Sequence, residues 1–195
     1  TSGAHSITIN ECLFYDNKSG RDGGAIYVFQ GGDLTINNSV FTDNYGTRYS
    51  GAIYFGDNSD DTTVDPTMTI NNSTFYRNYG RLSTSTNTGA IRAFNGGSDI
   101  ITVNVNNSIV FNNISGTYGP RPDWTNYQNS TLWYLGSDMN NSGSGTINWN
   151  LKNTIYKSIG SDYYNSSSYG SGSGMTIVSN TGGSTTWPEI GGGAK

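Results

Sequence analysis

The chain has 195 residues, 33% hydrophobic and 12% charged, with a formal net charge of -4 and one cysteine. An acidic balance with pI near 4.7 argues against nucleic acid, whose phosphate backbone needs a basic stripe, and a lone Cys12 excludes an internal disulfide. Low charge with abundant Asn, Ser, Thr, Gly and Tyr suits an extracellular or cell-surface, secreted protein, and no apolar run approaches the roughly 20 residues that span a bilayer.

In chain order, the first pattern is an alternation of Ile7 and Ile9, which predicts a strand with one buried face. It runs into the nine-residue phrase INECLFYDN, starting at Ile9, and a second strand follows in GGAIYVF from Gly23. Leu34 and Ile36 then lead into INNSVFTDN, and SGAIYFG follows from Ser50. Met68 and Ile70 lead into INNSTFYRN and TGAIRAF from Thr88; Val103 and Val105 lead into VNNSIVFNN. Trp149 and Leu151 open a fainter copy, LKNTIYKSI, with STLWYLG from Ser130 and GMTIVSN from Gly174 as later second strands. The copies start 27, 34, 35 and 46 residues apart, the range of one supersecondary unit per repeat. Helix is nearly excluded, because no stretch keeps apolar residues at helical spacing for three turns. The expected fold is all-β: a right-handed parallel β-helix, a solenoid of about five to six rungs forming one domain over residues 1–195. Its regular rungs span 1–113, degenerate loop-rich rungs 114–183, and a tail 184–195.

Stacked in register, the repeats assign columns. Phe14, Phe41 and Phe75, continued by Val110 and Tyr156, form an aromatic column in one corner of the core. Ile26, Ile53, Ile91, Leu132 and Ile177 form an aliphatic one. Asn38, Asn72, Asn107 and Asn153 stand where the chain bends, in a residue type that tolerates the left-handed conformation and can bond along the stack. Glu11 interrupts that column. A second ladder is expected through Asn17, Asn44, Asn78 and Asn113. Cys12 takes the place held elsewhere by Ser39, Ser73, Ser108 and Thr154, which predicts a small inward-facing structural thiol. Gly24, Gly51 and Gly89 are read as tight turns into the core strand. Thr8, Thr35, Thr69 and Thr102 are read as one outward column, a poor ice-binding plane without a companion.

Function on a solenoid concentrates where the repeat is interrupted. Asp57, Asp60, Asp61 and Asp65 crowd into one loop, an oxygen cluster that suits calcium, against the plain alternative of a solvated acidic loop. Tyr118, Arg121, Trp124 and Tyr127 form an aromatic loop stiffened by Pro120 and Pro122, either a contact for carbohydrate or protein or a lid in which Trp124 folds back over the side of the β-helix; Tyr163, Tyr164 and Tyr169 sit in a Tyr/Ser-rich segment, either a paratope-like surface or a flexible loop. Catalytic support is thin: His5 has no evident partner, and Asp16 and Asp43 on neighbouring rungs are followed by Arg77, which fits an exposed column with charge relief better than an acid/base pair.

The tetrapeptides FYDN, FTDN and FYRN, with GGAI, SGAI and TGAI, resemble the FxxN and GGAI repeats of the chlamydial polymorphic membrane proteins and related β-helical bacterial surface proteins. The resemblance runs through Asn113. It implies a passenger-like module, an adhesin or surface scaffold within a longer polypeptide. Separately, a rung strand at Ser6 with no evident cap leads to the expectation of a non-catalytic structural or adhesive module that belongs to a longer β-helix or stacks end to end into a filament. Its partners would be further copies of itself, or host or matrix carbohydrate or protein. The competing expectation is a carbohydrate-active β-helix enzyme, of polysaccharide lyase or hydrolase type, or a carbohydrate-binding module.

Overall fold

A computed structural model describes residues 5–30, 32–58, 65–82, 88–117, 139–156 and 175–181. The first coil comprises β1 (Ser6–Asn10), β2 (Leu13–Tyr15), β3 (Lys18–Ser19) and β4 (Ile26–Phe29). Coil two repeats it with β5 (Asp33–Asn37), β6 (Val40–Thr42), β7 (Tyr45–Gly46) and β8 (Ile53–Asp57). Coil three has β9 (Thr67–Asn71), β10 (Thr74–Tyr76), β11 (Tyr79–Leu82) and β12 (Ile91–Asn95). Coil four has β13 (Ile100–Asn106), β14 (Ile109–Phe111), β15 (Ile114–Thr117) and β16 (Met139–Gly143); β17 (Thr146–Lys152), β18 (Ile155–Tyr156) and β19 (Met175–Thr181) follow. Among the described residues there is no helix.

All the pairings are parallel and link one coil to the next. Sheet A is β1-β5-β9-β13-β17-β19, sheet B β2-β6-β10-β14-β18, sheet C β3-β7-β11-β15 and sheet D β4-β8-β12-β16. The chain therefore visits four sheets per coil and returns one strand further along each: a parallel β-helix. Two strands per coil are expected from the sequence and four are found, because strands of two or three residues are too short to show a period of two.

Inward positions stack into the core. Leu34, Met68, Val103 and Trp149 are aligned in sheet A, as are Ile36, Ile70, Val105 and Leu151, and all are buried. In sheet B the ring of Phe14 lies 4.4 Å from Phe41, and Phe41 4.6 Å from Phe75, stacked nearly parallel at 5° and 3°. In sheet D, Ile26, Ile53 and Ile91 are in register, and the fourth member is Met139. Leu132 lies outside the described residues. Ile177 belongs to sheet A, opposite Trp149, and not to this column. The sequence misleads here because Met139–Gly143, MNNSG, has almost no apolar signal.

Two bends per coil are left-handed. The first, between sheets A and B, carries Glu11, Asn38, Asn72, Asn107 and Asn153 at φ 48–52°, and the second, between sheets B and C, carries Asp16, Asp43, Arg77 and Asn112 at φ 54–59°. Asn, with its short polar side chain, enters this region at low cost; Glu and Arg do so less readily. Gly24 and Gly51 have a different reason to be glycine: a Cβ at Gly24 would strike the carbonyl of Gly51, and one at Gly51 that of Gly89. The need is close approach between coils, not a special turn angle.

Candidate functional site: the ladders and outward faces of the coil stack

The buried bend between sheets B and C holds a continuous carboxamide ladder. Nδ2 of Asn17 donates to Oδ1 of Asn44 (2.9 Å), Asn44 to Asn78 (2.8 Å) and Asn78 to Asn113 (2.8 Å). Each of these oxygens also accepts the backbone N–H of the preceding Asn, at 3.0–3.1 Å. The second Nδ2 hydrogen of Asn44, Asn78 and Asn113 reaches back to the carbonyl of Phe14, Phe41 and Phe75. A buried amide that satisfies this many groups fixes coil spacing, since leaving any of them unmet costs about 1–3 kcal/mol.

The outer ladder stands one residue before the predicted one. Asn37 donates to Asn10 (2.8 Å), Asn71 to Asn37 (2.8 Å) and Asn106 to Asn71 (2.9 Å). The column Asn38, Asn72, Asn107 and Asn153 supplies the left-handed bend instead, with one described rung of its own from Asn153 to Asn107 (3.0 Å). Between the two Asn columns, the hydroxyls of Ser39, Ser73 and Ser108 each accept a backbone N–H from the coil before, from Cys12, Ser39 and Ser73 in turn. Cys12 is exposed rather than inward-packed, its thiol donating to the carbonyl of Asn10 (3.1 Å). Its column is buried only where a preceding coil covers it, and among the described residues none precedes coil one.

The outward face of sheet A is an array of small polar groups. Thr8, Thr35 and Thr69 share a column that continues as Asn104 and Asn150. Thr102 stands in the neighbouring column opposite Thr67 and Asn148, so the Thr array is two short columns and not one long one.

At the second bend Arg77 lies 3.2 Å from Asp43 and Lys18 3.8 Å from Asp16, so each carboxylate of the repeated acidic position faces a cation. Asp57 closes β8 and is 1% exposed. Asp65 accepts the backbone N–H of Ile100 (2.8 Å), as Asp33 accepts that of Thr67 (2.9 Å), which gives both a structural role between coils. Asp60 and Asp61 lie outside the described residues, as do Tyr118, Arg121, Trp124, Tyr127, Tyr163, Tyr164 and Tyr169. Among the described residues no three His, Cys, Asp or Glu side chains come together in a metal-binding group.

Two surface features escape a reading of the repeats. On sheet D, Tyr27, Tyr54 and Arg92 occupy one outward column. The Arg92 guanidinium, 4% exposed, lies 4.0 Å from the ring centre of Tyr49 and 5.8 Å from that of Tyr54, and its Nε donates to Ser142 (2.9 Å). Burial lowers its pKa without threatening its charge, and burial also pushes the Tyr54 hydroxyl up. Arg48 pairs with Asp22 (3.3 Å) and donates to the Tyr49 hydroxyl (2.7 Å), a bond that raises its pKa. Guanidinium over aromatic faces is worth about 0.5–2 kcal/mol, enough to hold the segment around Tyr49 against sheet D. The signal was a large side chain at the outward position after GAI.

The second feature is on sheet B, where both neighbours of the central inward residue are large and apolar in two coils: Leu13 and Tyr15 in coil one, Ile109 and Phe111 in coil four. Three consecutive apolar residues in so short a strand cannot all face inward. Comparison with protein-family models, curated proteins and solved structures found no match.

Proposed function

We propose that this chain is a non-catalytic extracellular module with a structural or adhesive role, a β-helix to which further coils add end to end, in a filament or within a longer surface adhesin. The observation that carries this reading is the in-register parallel stacking of like coils through all four sheets, which a further coil would extend at coil one. Ile7 is 48% exposed although its register partner Leu34 is 0% exposed, and Phe14 and Ile9 are only partly buried against the core. β1 to β4 each present an unpaired strand edge among the described residues, a template for another strand. A coil with the same bends would meet it in register, and a head-to-tail contact of this kind does not close. The non-catalytic part is supported by the engagement of repeated polar groups: the Asn17 to Asn113 and Asn10 to Asn106 columns and the Ser column are taken up by ladders, and Asp16 and Asp43 by ion pairs.

Sedimentation velocity and electron microscopy over a wide concentration range test the assembly. Mass growing with concentration, and particles lengthening along one axis, are expected; a strict monomer throughout would overturn end-to-end addition. Incubation with acidic polysaccharides, with and without calcium, tests the enzymatic alternative. New reducing ends or unsaturated products would overturn the non-catalytic reading. No cofactor is part of the proposal; calcium at the Asp57 to Asp65 loop is the alternative to a plain acidic loop, and a melting temperature raised by calcium is its readout.

A further inference from the structure

Among the described residues eight large apolar side chains are exposed, and five of them lie on the outward face of sheet B: Leu13 (67%), Tyr15 (62%), Val40 (39%), Tyr76 (37%) and Ile109 (37%). The open end accounts for the first two in part. It does not account for Val40, Tyr76 and Ile109, which sit in coils two, three and four. Register aligns Leu13, Val40, Thr74 and Ile109 in one column and Tyr15, Thr42, Tyr76 and Phe111 in the other. The stripe follows the solenoid axis at about 4.8 Å per coil, and its two columns stand about 6.6 Å apart.

Both margins are polar, because the left-handed bends project there. Glu11, Asn38, Asn72 and Asn107 flank one side, all exposed; Asp16, Asp43 and Arg77 flank the other. An apolar, partly aromatic floor, with an exposed hydrogen-bonding rail on one side and a margin of ion-paired groups on the other, matches a pyranose ring, whose C–H faces stack on aromatics while its hydroxyls radiate to the sides. Contact with another protein fits less well. Two columns over four coils cover roughly 130 Å² at these spacings, far below the roughly 800 Å² per partner of a stable protein interface. The charges favour an uncharged ligand, since Arg77 already lies against Asp43 and Lys18 against Asp16.

We propose that the outward stripe of sheet B binds an uncharged linear glycan lying along the solenoid axis, with Tyr76 as a central stacking residue. The inference rests on the adhesive reading above and names its ligand class. Native affinity electrophoresis of the whole chain through gels containing mixed-linkage β-glucan, xyloglucan or glucomannan provides the test. Retardation by at least one polymer is expected, weakened about fivefold to tenfold in Tyr76→Ser and kept in Tyr76→Phe, which retains the ring. Val40→Asn, a milder change at the stripe, is expected to weaken it about threefold, with thermal melting of each variant verifying the fold. No retardation by any of the three, or retardation equal in Tyr76→Ser, would overturn the proposal. Sedimentation of the same preparations separates the two readings. Tyr76-dependent retardation of a strict monomer removes end-to-end addition and keeps the glycan site, whereas assembly without retardation does the reverse. Loss of assembly in Tyr76→Ser with glycan retention unchanged would overturn the site in favour of a contact between copies.

Discussion

Coil one and coil three are written in nearly the same letters and have different physical lives. Phe75 is wholly buried between Phe41 and Val110, whereas Phe14, at the same register, has a ring partner on one side and is only partly buried. Ser73 is 2% exposed, and Cys12 in its column is open to solvent. Burial in this molecule is a property of having a coil above and a coil below, so each coil supplies half of its neighbours' core.

The largest test of that contrast is truncation of the aromatic column. Phe75→Ala should cost about 3–5 kcal/mol, Phe14→Ala about 1–2 kcal/mol because its loss opens a dent at a surface already exposed, both read from urea denaturation midpoints. Equal costs would break the comparison. Next comes the inner ladder. Asn78→Ala removes a carboxamide that accepts from Asn44 and donates to Asn113 and to Phe41 O, and should cost about 3 kcal/mol. Asn17→Ala should cost about 1 kcal/mol, since Asn17 serves one neighbouring coil.

Alkali should strike the inner coils. Burial raises the Tyr79 hydroxyl from its ordinary 10.0 to about 12, and Lys18 holds the equivalent register in coil one. The folded state keeps a proton that the unfolded chain releases from about pH 10. Stability from this group is therefore complete below pH 10 and lost as pH rises through about 12. Tyr79→Phe should flatten that part of the stability curve, measured as melting temperature against pH. The smallest effect is at Glu11, a left-handed residue without the advantage of Asn. Glu11→Asn should stabilise coil one by about 0.5–1 kcal/mol, read as slower exchange of the amides of Leu13–Tyr15.

The fold was legible because a solenoid repeats its instructions. The repeated phrases placed an inward aliphatic residue, a left-handed residue that is Asn in all but the first, a small residue and, in the first three, a Phe in the same order, and the register of sheets A and B follows from aligning them. What was not legible had weak local signals. Lys18–Ser19 and Tyr45–Gly46 pair as sheet C with two residues each, and a strand of that length has no period to detect. Met139 replaced the expected Leu132 because the strand it opens is polar. The outer ladder was displaced by one residue because both Asn of INN are polar and only backbone conformation separates them: Asn37 ends β5 in extended form and Asn38 turns at φ 51°. The surface stripe was hidden in plain letters. LFY and IVF read as core segments until the two outer residues are placed on the far side of the pleat.

Native-state hydrogen exchange, resolved by residue, tests the central claim most directly. A gradient along sheet B is expected: amides of Leu13–Tyr15 exchange fastest, those of Val40–Thr42 more slowly, and those of Thr74–Tyr76 slowest, with protection of coil one rising at concentrations where chains assemble. Uniform protection of the three strands in a dilute monomer would contradict it, because coil one would then be as well supported as the coils enclosed on both sides.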